Sequence, residues 1–154
     1  MKKVVTILLA VLTIGVTGAF KTQDDNSCDA AKLKNEVKPK LDPDFKYDSS
    51  KITRISTSSD NQVKEIEVPL FIGEKYRFVF NAKAAPKDVE IEIYNKPNGS
   101  SKRKLMYSSK KDKAVDGIFI YEPDKSKKMY INYNIPSTSS AQRGCLVFLL
   151  GYKI

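Results

Sequence analysis

Beyond residue 50 the chain alternates apolar and polar side chains with a period of two, the spacing of a half-buried strand. Val63 to Leu70 sets Ile66, Val68 and Leu70 against Glu65 and Glu67. Lys75 to Asn81 sets Tyr76, Phe78 and Phe80 against Lys75 and Arg77. Asp88 to Asn95 and Met129 to Ile135 repeat the pattern, and Ile52 to Thr57, Arg103 to Ser108 and Gly117 to Tyr121 do so more briefly. Cys145 to Lys153 is almost continuously apolar, which predicts a central strand covered on both faces. Gly73 and Pro97-Asn98-Gly99 supply turn chemistry. Eight short strands with turns between them predict an all-β fold, an antiparallel β-sandwich or jelly roll; a closed barrel is the alternative. Pro69 lacks an N–H for the ladder, so its strand should lie at an edge or bulge there.

The first fifty residues break this pattern. Lys2 and Lys3 precede a thirteen-residue apolar run, Val4 to Val16, with small residues at Thr17 and Ala19. That is the order of parts in a cleavable signal peptide, cut between Ala19 and Phe20. The run is shorter than the roughly 20 residues a spanning helix needs, so no transmembrane segment should remain after cleavage. Cys28 lies too far past the apolar run for a lipoprotein signal. Residues 20–50 read as a polar leader with a short helix from Ser27 through Lys38, ended by Pro39. Pro43 and Asp48-Ser49-Ser50 then read as an extended linker. The expected organisation is residues 1–19 as signal peptide, 20–50 as leader and 51–154 as sandwich.

The segments Gly73 to Phe80 and Asp88 to Tyr94, running into Pro97-Asn98-Gly99, resemble the strand order of bacterial pre-peptidase C-terminal domains. The resemblance covers roughly residues 62–152. It implies a small jelly-roll module of a secreted protein, although no protease sequence is attached here. Arg143 to Tyr152 is similar to the last strand of small uncharacterised secreted bacterial β-sandwich proteins. Neither resemblance brings catalytic residues.

Charge and composition narrow the chemistry. The formal net charge is +9, or +7 once Lys2 and Lys3 are removed. Lysines thicken at Lys102-Arg103-Lys104, at Lys110, Lys111 and Lys113, and at Lys125, Lys127 and Lys128. The plainer reading is a set of solvated loop lysines that keep the protein soluble. The sharper one is a patch of Lys102, Arg103, Lys104, Lys110 and Lys111 for an anionic envelope polymer, lipid head groups or another envelope protein. No basic helix or RNA-binding aromatic motif points to nucleic acid. The chain has no histidine, which removes Ser-His-Asp and Cys-His catalysis and every histidine metal site. It also has no tryptophan, but eight tyrosines leave a sugar platform open, with Tyr121, Tyr130, Tyr133 or Tyr152 as candidates.

Other chemistry is thinly supported. Glu65/Glu67 and Glu90/Glu92 could pair for glycoside hydrolysis, but each pair reads more simply as the solvated face of a strand. Ser108 with Lys111 lacks a supporting nucleophile motif. Asp42, Asp44 and Asp48 lack the glycine and glutamate of a calcium loop and read as turn residues. Asn98-Gly99-Ser100 reads as a turn rather than a glycosylation triplet. No catalytic residue, metal site or cofactor is expected.

Two cysteines in an exported chain predict a Cys28–Cys145 disulfide that staples the leader to the sheet. The alternative is two free thiols, with Cys145 as a small buried apolar residue. The sequence thus points to an exported, non-catalytic binding or accessory module of the bacterial periplasm or cell surface. A carbohydrate-binding module and a carboxylate-based hydrolase are the alternatives.

Overall fold

A computed structural model of the protein describes residues 28–153, apart from Lys113 and Ser126. The expected signal peptide, its cleavage site and the Ser27 cap lie outside those residues. One helix, α1 (Ala30–Val37), is followed by β1 (Phe45–Ser56), β2 (Gln62–Val68), β3 (Tyr76–Asn81) and β4 (Glu90–Tyr94). Then come β5 (Leu105–Ser108), β6 (Ile118–Tyr121), β7 (Met129–Ile135) and β8 (Arg143–Lys153).

Every strand pairing is antiparallel. β1 pairs β8, β2 pairs β7, β3 pairs β6 and β4 pairs β5, so the chain is one long ribbon doubled back at the β4–β5 connection. Rolling that ribbon brings β8 beside β3 and β7 beside β4. The result is two sheets of order β1-β8-β3-β6 and β2-β7-β4-β5, the winding of a jelly roll. β2 is an edge strand and ends at Val68, so Pro69 falls just outside the ladder, where its missing N–H costs nothing.

The linker expected at 39–50 takes a different form. A 3-10 turn at Lys38–Lys40 leads into β1, which starts at Phe45 rather than Ile52. β8 decides this: Phe45 lies opposite Lys153 and Ser50 opposite Leu149, with an irregularity between Tyr47 and Ser49. A ready partner strand satisfies the backbone of residues with little strand preference of their own.

The alternating side chains meet between the sheets. Phe78 is fully buried, with its ring centroid 5.3 Å from that of Phe148 and 6.0 Å from that of Tyr121. Ile91, Ile93, Ile131 and Tyr133 close the core from the other sheet. The Tyr133 and Thr53 hydroxyls are buried as neighbours, but neither meets the geometry of a hydrogen bond to the other or to any further group. Tyr133→Phe is therefore expected to leave stability unchanged or raise it by up to about 1 kcal/mol. A denaturation curve shifted down by more than about 1 kcal/mol would show that the phenol is satisfied.

A third layer covers the outer face of the first sheet. The Asp29 side chain accepts a hydrogen bond from the Lys32 N–H at 3.0 Å and caps α1. Leu33 packs on Cys145 and Val147; Val37 and Leu41 join Val79 and Leu149. That second apolar covering explains why β8 shows no alternation. The buried Asn81 ties helix to sheet: its Nδ2 donates to Leu33 O at 3.0 Å and to Glu36 Oε2 at 3.2 Å. The Asn81 hydrogen bond, helped by Lys83, holds the Glu36 carboxyl below its ordinary pKa. Cys28 and Cys145 form a disulfide, with Cα atoms 5.5 Å apart.

Candidate functional site

Among the described residues no helix or strand covers the outer face of the second sheet. Period two puts Glu65 and Glu67 of β2, Tyr130, Asn132 and Asn134 of β7, and Glu90, Glu92 and Tyr94 of β4 on that face. Antiparallel register sets Glu65 and Glu92 opposite Asn132, and Tyr94 opposite Tyr130. Arg103 folds back over this sheet from the β4–β5 connection. Its guanidinium lies 3.5 Å from the Tyr94 ring centroid and donates to Glu65 Oε2 and Asn132 Oδ1, both at 3.0 Å. Glu92 Oε2 accepts from the Tyr94 hydroxyl at 2.8 Å and from Asn134 Nδ2 at 2.7 Å. Burial, reinforced by Glu92, pushes the Tyr94 phenol above its ordinary pKa. Glu90 accepts from Ser108 Oγ at 2.9 Å and pairs with Lys110 Nζ at 2.6 Å, while Glu67 pairs with Lys128 at 2.7 Å.

All four glutamates weighed as acid–base pairs therefore share one face, and each is already engaged. Ser108 is buried and gives its proton to Glu90, not to a lysine. The four candidate tyrosines do not form one platform. Tyr133 is in the core, Tyr130 belongs to the second sheet, and Tyr152 pairs with β1 and β3 in the first. Tyr121 lines an open cleft of about 470 Å³ between the edge strands β5 and β6. Its ring centroid is 5.2 Å from that of Tyr107, whose hydroxyl donates to Asp112 at 2.7 Å. Among the described residues no cluster of three or more Asp, Glu, Cys or His groups is placed to hold a metal.

In the expected basic patch, Lys102, Arg103 and Lys104 precede the four-residue β5 and Lys110 and Lys111 follow it; Arg103 and Lys110 both reach onto the outer face of the second sheet, to Glu65 and to Glu90. Arg103 and Lys110 are bound into ion pairs; Lys102, Lys104 and Lys111 are exposed.

Register assembles a different basic surface. Val68 at the end of β2 lies opposite Met129 at the start of β7, and Tyr94 at the end of β4 lies opposite Tyr130. The connections 69–75, 95–104 and 122–128 therefore share one end of the sandwich. The first contributes Lys75; the second Lys96, Lys102, Arg103 and Lys104; the third Lys125, Lys127 and Lys128. Against these eight bases stand three acids, Glu74, Glu122 and Asp124. The four connections at the other end hold five bases and four acids, which nearly cancel.

At the same basic end two large apolar side chains stand in solvent. Phe71 is 79 % exposed and Ile72 is 91 % exposed. They occupy a turn in which Gly73, at φ +94°, takes a conformation closed to most side chains. Phe71 O accepts from Glu74 N at 3.4 Å, and Phe71 N donates to the hydroxyl of the buried Tyr76 at 3.2 Å. Alternation alone does not single these residues out. The available signal is an apolar pair that follows the strand-ending Pro69 and leads directly into a turn glycine.

No protein-family model and no curated protein matches this chain.

Proposed function

We propose that this chain is an exported, non-catalytic binding module that engages an anionic partner through the basic end of its sandwich. The observation that carries this reading is the charge asymmetry between the two ends: eight bases to three acids in the connections 69–75, 95–104 and 122–128, ten to five with the 38–44 segment that enters β1 beside them, against five to four. Lys75, Lys102, Lys104, Lys125 and Lys127 are exposed there and available to a ligand. The disulfide and the signal-like leader support export, because disulfides persist in oxidising compartments. No helix of the described residues is long and apolar enough to cross a membrane. The resemblance to pre-peptidase C-terminal modules, which accompany secreted proteins, points the same way. The non-catalytic reading rests on the engagement of Glu65, Glu67, Glu90 and Glu92 in ion pairs and hydrogen bonds.

Reversing Lys102, Lys104, Lys125 and Lys127 to glutamate should weaken binding to a sulfated polysaccharide by at least about tenfold, since each lysine near an anionic surface contributes about 1 kcal/mol. Wild-type binding should fall steeply with salt. Equal affinity of the two proteins, measured by titration at low salt, would remove the basic end as the binding surface.

A second reading is a carbohydrate site on the uncovered sheet, favoured by the adjoining Tyr94, Glu92 and Asn134 groups. It requires that a neutral glycan bind, and that Asn134→Ala abolish the binding without lowering the unfolding midpoint.

A further inference from the structure

We infer that the partner of the basic end is an anionic lipid surface, which Phe71 and Ile72 enter while the surrounding lysines hold the head groups. The inference rests on the proposed role of that end and names its ligand class. A soluble anionic polymer needs only the charges. It gives no reason to keep a phenyl ring and a branched alkyl chain in water at 79 % and 91 % exposure. A bilayer surface uses both: apolar side chains gain by leaving water at the acyl boundary, and lysines gain from the negative surface potential.

The geometry suits shallow insertion. The two side chains form the tip of a four-residue turn, and that turn is held by the Phe71–Glu74 and Phe71–Tyr76 hydrogen bonds. The tip is presented in a set shape, so little ordering cost falls on binding. The lysines belong to neighbouring connections. Lys128 pairs with Glu67 close to the end of β2, and Asn98 of the β4–β5 connection donates its N–H to Glu65 on the same strand. The 122–128 connection thus adjoins the turn directly, since Val68 pairs with Met129, while the 95–104 connection leaves the same end and folds back over the outer face toward Glu65. Cys28, where the described chain begins, is bonded at the other end of β8 and leaves the tip uncovered by α1.

The test compares the full chain, recovered as its host processes it, with its Phe71→Ser/Ile72→Ser variant. Both carry the same N-terminus, so the difference isolates the tip. Both substitutions fall on solvent-exposed turn positions, and an unchanged thermal midpoint will confirm folding. Flotation is measured with vesicles of phosphatidylcholine alone and with equimolar phosphatidylcholine and phosphatidylglycerol; dextran sulfate serves as the soluble anion. The expected result is binding to the anionic vesicles that falls about tenfold or more in the variant, with dextran sulfate binding unchanged. Equal vesicle binding by both proteins would overturn the inference and leave the anion-binding reading standing. Failure of the wild type to bind either dextran sulfate or anionic vesicles would overturn both. A dimer that depends on Phe71 and Ile72, with vesicles left unbound, would reassign the tip to a self-contact and overturn it also.

Discussion

Replacing Cys28 and Cys145 together by alanine is expected to cost about 4–5 kcal/mol of unfolding free energy, the largest effect of any change considered for this fold. The bridge spans 117 positions, so it removes a great deal of freedom from the unfolded chain. The folded chain gains packing as well. Cys145 is fully buried beside Leu33 and Val147, and Cys28 packs against the same cluster. Alanine is the right substitute, because serine would bury a hydroxyl at position 145. A domain of this size loses about 3–4 °C per kcal/mol, so the midpoint should fall by roughly 10–20 °C. The loss should also be local. Without the bridge, α1 is held chiefly by Leu33, Val37 and Asn81, and its amides should exchange faster than those of β3 and β8. Coincident melting curves for oxidised protein and the double variant would show that the bridge holds nothing that packing does not.

Gly144→Ala is expected to cost about 3 kcal/mol, the upper end for overpacking. At this position β8 enters the first sheet under the β3–β4 connection. Cys145 N donates to Ala84 O at 2.9 Å, so the two backbones run almost in contact. A methyl group at 144 would overlap the Ala84 carbonyl and press on the Pro86 ring. A side chain in the way could rotate; a carbonyl cannot move without its backbone. The connection must shift and give up the bond to Cys145, loosening the cover over the disulfide. The backbone at Gly144 is not in a left-handed conformation, so the cost is one of space alone. A chemical denaturation midpoint within about 0.5 kcal/mol of wild type would mean that the 82–89 connection moves freely.

The candidate surface was only half legible along the chain. Runs such as Lys102-Arg103-Lys104 and Lys125-x-Lys127-Lys128 stand out as sequence, and both belong to the basic end. Lys110 and Lys111 look like part of the same run, six residues on from Lys104, yet β5 intervenes and Lys110 is taken up by Glu90 of the neighbouring strand. Arg103 reads as one more loop cation. Its side chain instead lies flat on Tyr94 and spends its charge on Glu65, a partner 38 positions away. Alternation already sets Tyr133 with Met129, Ile131 and Ile135 on the apolar face of β7, and its burial there removes it from any sugar platform.

Local chemistry by itself determined the eight strands. Steric alternation, turn glycines and prolines act over a few residues, and Gly73 or Pro97-Asn98-Gly99 need no distant partner to turn the chain. The unbroken apolar run at 145–153 likewise announced a strand covered twice, since burial on both faces leaves no position for a polar side chain. The cysteine count did foretell the Cys28–Cys145 bridge that ties the leader to this strand. The packing of Val37 and Leu41 on Val79 and Leu149 and the start of β1 at Phe45 were beyond local reasoning, because each depends on a partner strand distant in the chain, Lys153 for Phe45. Only the rolled ribbon decided which loops share an end, because that follows from register between strands, and register is settled by the whole core at once. The basic end with Phe71 and Ile72 at its tip is the product of that winding; no segment of the chain contains it.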